Sequence, residues 1–195
     1  MARLPDPRIR ERLLDQAVDY VLSHGVGDLT LRPLAKALRT NARMLIYHFG
    51  SREGLMREIL TRLREREDAR IQAWFGASKK RRTLPEFWRW QWQRLSAPQA
   101  RSAVCLIFEL YTLALQHPRD YPGVLEDPLA YWQKLTEQAG ADSKAGTIEA
   151  TLFLAMTRGL LLDLCATGDR ARVERAMNKF AQLVENRAAP AKRHE

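Results

Sequence analysis

LTLRPLAKALRTNARMLIYHFGSREGL, residues 29–55, is the stretch from which the rest of the chain can be read. Thr30 stands where it can N-cap a short helix running to about Leu38. Pro33 is tolerated there because it falls in the first turn, where a missing N–H costs nothing. After a tight turn, Asn41 can cap another short helix through about Tyr47, and Ser51 can cap a longer one that follows.

Outward from that stretch the pattern stays helical. Upstream, Ile9, Leu13, Ala17 and Val21, flanked by Leu14, Val18 and Leu22, form one apolar stripe that Gly25 can end in a left-handed cap. Residues 1–7, with Pro5 and Pro7 and no periodicity, read as a flexible basic arm. Downstream, Leu55, Ile59, Leu63, Ile71 and Trp74 carry the Ser51-capped helix across RLREREDAR (62–70), whose mixed signs read as a solvated face. From Pro85 the spacing predicts helices over 85–95, 98–116, 124–139, 144–166 and 170–187. Pro98, Pro118, Pro122, Gly140 and Gly168 separate them, and Asp169 can cap the last. Segment 144–166 is apolar nearly all round through Leu152, Phe153, Met156, Leu160, Leu161 and Leu164, so it is expected to be buried on both sides. No stretch alternates as a strand does, so the fold class is all-α. The divisions are a basic arm at 1–7, a three-helix domain at 8–50, a linking helix at 51–76, a larger helical domain at 77–187 and a flexible tail at 188–195.

The 195 residues hold 32 Lys and Arg against 23 Asp and Glu, a net charge of +9 that favours a polyanionic partner or simply solubilises the surface. Cys105 and Cys165 are too few for a disulfide framework, and both sit in apolar runs. No signal peptide opens the chain and no uncharged run approaches a membrane span of roughly 18 residues, so a soluble, cytoplasmic protein without a membrane partner is expected. Phosphate loops, nucleophile elbows and paired metal-spaced histidines are absent, and His24, His48, His117 and His194 are scattered. No enzyme, cofactor or metal is therefore expected.

Two short helices joined by a tight turn and braced by a longer one make a helix-turn-helix, which sets its last short helix into a DNA major groove. The end that faces the bases reads Asn41, Ala42, Arg43 and Met44, and an arginine there can make a bidentate contact to guanine O6 and N7. Tyr47, His48 and Arg52 just beyond carry donors suited to phosphate oxygens, and Thr30 and Arg32 are further candidate DNA contacts. Alternatively, Arg43 is a solvated arginine while Tyr47 and His48 close the core of the small domain. The segment from Leu13 to Leu55 resembles the DNA-binding domain of the TetR family of repressors. The resemblance rests on Thr30 opening a helix, Ala35 packing in it, His48 and Phe49 ending the recognition helix, and Ser51, Arg52 and Glu53 opening the next. This chain departs from the pattern in carrying Arg39 and Arg43 where glycine is frequent, Asn41 at the usual serine and Tyr47 one place beyond the usual tyrosine.

The resemblance implies an operator-binding repressor whose C-terminal helices bind a small-molecule effector and whose last two helices pair with a second subunit. On that reading Leu161, Leu164, Val173, Met177, Phe180 and Val184 form the homodimer interface. Trp88, Trp92, Phe108, Glu109, Tyr111, Trp132, Phe153 and Met156 line a mostly apolar pocket, although aromatics at helical spacing also serve as ordinary core. Glu109 interrupts VCLIFELYTLAL and needs a partner when buried, for which Arg158 is a candidate. The basic run Lys79 to Arg82 falls in an interhelix loop. The rival reading is a helical small-molecule-binding or scaffold protein without operator binding.

Overall fold

A computed structural model describes residues 7–27, 29–121, 124, 133–135, 137–139 and 143–188. Among them every regular element is helical: α1 (Pro7–His24), α2 (Leu31–Ala37), α3 (Ala42–Phe49), α4 (Arg52–Gly76), α5 (Leu84–Ser96), α6 (Arg101–Gln116), α7 (Ser143–Thr167) and α8 (Arg170–Ala188). The expected arm, the tail and most of the expected 124–139 helix lie outside the described residues. The chain divides into two compact units, residues 1–77 with 102–127 and residues 78–101 with 128–195. The boundary expected at 77 is therefore not a single cut, because residues 102–116 of α6 are part of the first unit.

The first unit closes on the stripe expected of α1. Leu13, Leu14, Ala17, Val18 and Val21 are buried, and they share a core with Leu34, Leu45, Phe49, Leu55, Ile59 and, from α6, Leu106, Leu110 and Ala114. Gly25, at φ +79, ends α1 by donating its N–H to the Val21 carbonyl at 2.9 Å. The charged stretch of α4 is more than a solvated face. Arg62 pairs with Glu11 and, at 2.7 Å, with Asp15, while Arg66 pairs with Asp15 at 3.0 Å and Asp19 at 2.7 Å. These arginines recur at i, i+4 on α4, opposite carboxylates spaced four apart on α1, which composition alone does not reveal. Burial pushes the Asp15 carboxyl up, but hydrogen bonds from Arg66 and Arg62 outweigh it and hold the group below its ordinary value.

In the second unit α5 starts at a capping box. Thr83 accepts from the Glu86 N–H at 3.4 Å, and the Glu86 carboxylate accepts from the Thr83 N–H at 2.8 Å. The core joins Phe87, Trp88 and Trp92 of α5 to Phe153 and Leu161 of α7 and to Val173 and Met177 of α8. Gly168, at φ +69, ends α7, and Asp169 caps α8 by accepting from the Arg172 N–H at 3.1 Å. The expectation that α7 is buried on both sides does not hold. Ile148, Leu152 and Leu162 are exposed, and the 18 residues Ala150–Thr167, at mean hydropathy 1.4, match a membrane span by length and composition. Arg158 and Asp163 interrupt that run, and Asp163 is paired with Arg172 at 2.7 Å. The helix carries more apolar surface than α5 and α8 cover.

Candidate nucleic-acid interface

The turn between α2 and α3 is built from backbone hydrogen bonds. Arg39 donates its N–H to the Lys36 carbonyl at 3.2 Å, and Thr40 donates to the Ala35 carbonyl at 2.9 Å. This is the pairing of a Schellman motif, which places Arg39 at the left-handed position usually given to glycine. Its φ is +54, and no other described non-glycine residue has positive φ. The turn thus has ordinary helix-terminating geometry at a conformational cost of roughly 1 kcal/mol.

Beyond the turn, Asn41 adopts an extended conformation and its side-chain oxygen accepts from the Met44 N–H at 2.9 Å. That oxygen is committed to the cap, so Asn41 has only its amide nitrogen to offer a base. Leu45 and Phe49 anchor α3 in the core, which turns Arg43, Ile46 and Tyr47 outward. Ala42 and Met44 are half-buried. Arg32, Lys36 and Arg39 are also exposed, so cations stand along α2, the turn and the N-terminal end of α3.

Other expected contacts sit differently. Thr30 precedes α2 but makes no side-chain cap, and its side chain is exposed. His48 is buried, its ring edge-on to Tyr47 at 5.2 Å and tilted against Phe49 at 6.3 Å, with neither ring nitrogen hydrogen-bonded. It packs in the core, as the alternative reading had it for His48 though not for the exposed Tyr47, and is not displayed for a phosphate contact. Arg52 is half-buried, and its Nε donates to the Leu29 carbonyl at 3.1 Å, tying the start of α4 to the segment before α2. Ser51 caps α4 as expected, accepting from the Gly54 N–H at 2.9 Å.

Two groups that hold this surface in place have no local signature. Arg10 of α1 donates to the His48 carbonyl at 3.3 Å, pairs with Glu58 of α4 and lies 5.3 Å from the centre of the Phe49 ring, so it fixes the C-terminal end of α3. Glu109 of α6 finds its partner in backbone and not in the expected Arg158. Its carboxylate accepts from the Val26 N–H at 3.1 and 3.0 Å and from the Gly27 N–H, in the turn between α1 and α2. A Cβ on Gly25 would lie 2.6 Å from one carboxylate oxygen, and a Cβ on Gly27 would lie 2.9 Å from the other. The sequence Gly25-Val26-Gly27 is therefore a cradle that only glycines at its ends leave open.

The expected pocket residues are distributed over the two units. Trp88, Trp92, Phe153 and Met156 belong to the second unit, Phe108, Glu109 and Tyr111 lie on the part of α6 that belongs to the first, and Trp132 is outside the described residues. Of the expected interface residues, Leu161, Val173 and Met177 are buried inside the second unit, Leu164 and Phe180 are half-buried, and the Val184 side chain is outside the description.

Residues 13–59 match the family model of bacterial regulatory proteins, tetR family. No curated protein sequence matches the chain. Among solved structures the fold is similar to SCO7518 of Streptomyces coelicolor A3(2), assigned as a transcriptional regulator, with TM-score 0.67 and 23% identity over 90% of this chain and 99% of that one. It is also similar to the multidrug binding protein EbrR complexed with proflavin (TM-score 0.64, 23% identity, 90% of this chain and 99% of that one). A TetR transcriptional regulator from Legionella pneumophila aligns with TM-score 0.64 and 15% identity over 94% of this chain and 99% of that one.

Proposed function

For a chain that belongs through residues 13–59 to the tetR family of bacterial regulatory proteins, we propose the role of a homodimeric repressor that a small, mostly apolar effector releases from operator DNA. The observation that carries the reading is Arg43, held outward at the capped N-terminal end of α3 by the burial of Leu45 and Phe49. A guanidinium so placed can make a bidentate contact to guanine, while Arg32, Lys36, Arg39, Tyr47 and the Thr30 hydroxyl are displayed for phosphates.

The second subunit is inferred from the bare face of α7. Ile148, Leu152, Ala155, Gly159, Leu162 and Ala166 are all exposed and follow one another at spacings of four and three residues, the period of a helix–helix seam. Leu183 of α8 is likewise exposed. A twofold axis through such a face would cover it with its own copy. The effector reading is supported by the aromatic core of the second unit and by the proflavin bound to a protein of similar fold.

Arg43→Ala tests the base-reading role. It should cost about 1–3 kcal/mol on the best operator and relax preference at one guanine, the usual worth of a bidentate pair. Affinities for operator, single-base variants and random DNA over a salt series decide it. An equal loss on every duplex would make Arg43 a phosphate contact.

A further inference from the structure

The second unit buries donors that its own chain leaves unused. Trp88, Gln91 and Thr157 are 2%, 1% and 5% exposed, and the indole Nε1, the Gln91 Nε2 and the Thr157 Oγ1 have no hydrogen-bond partner. Native interiors seldom leave such groups unpaired. The omission at Thr157 is specific to that position. Thr61, Thr112, Thr151 and Thr167 each donate to the carbonyl four residues back, at 3.0, 3.0, 2.8 and 2.9 Å, a bond equally open to a hydroxyl at 157.

The three groups lie at one level of the unit. The Trp88 ring stacks on Phe153 at 4.9 Å and 4°, and the carbonyl of Ser96, the last residue of α5, accepts from Arg170, just past the end of α7. Helices α5 and α7 therefore run parallel. Gln91, about a turn past Trp88, comes level with Thr157, about a turn past Phe153. Phe180 of α8 also stacks on the Trp88 ring, at 5.9 Å and 22°.

Their chemistry is one-sided. Arg94 donates to the Gln91 Oε1 through Nε at 3.1 Å and Nη2 at 2.8 Å. Because an arginine has nothing to accept with, the amide orientation is fixed and Nε2 is left as a donor. The indole nitrogen also only donates, and the hydroxyl can do so. Among the described residues the buried polar side chains of this unit are Gln91, Ser96 and Thr157, with no carboxylate among them.

We propose that Trp88, Gln91 and Thr157 bind the acceptor oxygens of a small molecule, a carboxylate or carbonyl carried on a flat apolar body, in preference to a cation. The donors supply the polar recognition, and the apolar, aromatic-rich core around them suits the apolar body. This deepens the effector reading above and rests on it.

The full-length protein is titrated with 1-naphthoate, 1-acetonaphthone, 1-methylnaphthalene and proflavin, followed by tryptophan fluorescence and thermal midpoint. The carboxylate and the ketone should bind more tightly than the hydrocarbon or the cation. Thr157→Val should weaken 1-naphthoate roughly tenfold, the scale of one lost hydrogen bond to a charged acceptor, and leave the ligand-free midpoint unchanged or raise it, because Oγ1 has no partner in the fold. Equal binding of the hydrocarbon, preference for proflavin, or a fall in the ligand-free midpoint of Thr157→Val without loss of naphthoate affinity overturns the proposal. So does binding of none of the probes by protein that still holds operator DNA. Operator binding is read in the same preparation without ligand, and its absence would instead overturn the repressor reading.

Discussion

At position 39 an arginine occupies a conformation that glycine adopts freely, and the backbone bonds of the turn hold it there. Arg39→Gly should therefore leave stability unchanged or raise it by up to about 1 kcal/mol, relief of strain being partly offset by the greater freedom of glycine in the unfolded chain. Arg39→Ala, which keeps a Cβ, should bring no such gain. Urea unfolding of both variants checks this, and a lower midpoint for Arg39→Gly than for Arg39→Ala would refute the strain. The caps Asn41, Ser51 and Asp169 were legible because a cap is a contact three residues long. Their place in the motif marks His48 and Arg52 as DNA contacts, but a motif fixes the residue type and not the direction of the side chain. The core claims the His48 ring, and the Leu29 carbonyl claims one donor of Arg52. Arg52→Ala should accordingly lower the thermal midpoint as well as weaken all duplexes alike.

Between elements, the contacts that position α2 and α3 come from residues distant in sequence. Glu109→Leu would leave the buried Val26 N–H without an acceptor, at a cost of about 1–3 kcal/mol, whereas Glu109→Gln keeps one acceptor oxygen and should cost less. Gly25→Ala should be at least as damaging as Glu109→Leu, since it adds left-handed strain to a 2.6 Å approach to the carboxylate. Urea midpoints of the three variants give the order, and an unperturbed Glu109→Leu would dissolve the cradle. The arginines of α4 make a further expectation. Asp15 is held below its ordinary value when folded, so its contribution is present above the unfolded pKa near 4 and is lost as pH falls through the lower folded value. Asp15→Asn should therefore lower stability above about pH 5, where that contribution is present, flatten the acid limb of the stability profile and change little at the lowest pH, as urea midpoints over a pH series would read. The stripe of α1 could be read from its sequence because its period is local. Glu109 stands 83 residues from its partner Val26, so the sequence showed only that it needed one. The Thr83–Glu86 capping box sets the start of α5 at Leu84, one residue before the Pro85 from which the spacing predicts it.

For the whole molecule, the all-α class and the helix-turn-helix followed from periodicity and punctuation, while which side of an apolar helix faces a partner did not. Leu161 and Leu162 are equally apolar, yet one is 5% and the other 54% exposed, because the fold of the second unit decides which of them its core takes. Leu162→Glu should thus yield folded monomers with weak operator binding, whereas Leu161→Glu should destabilise the unit itself. Sedimentation separates the two outcomes, and an unchanged Leu162→Glu dimer would remove α7 from the interface. The central claim is that one such dimer presents two copies of α3 to DNA. The most direct measurement is selection of bound sequences from a random duplex pool by the purified protein. Enrichment of a palindrome whose half-sites share one face of the duplex, about one helical turn or a multiple apart, is the predicted result. Recovery of sequences indistinguishable from the starting pool would contradict it.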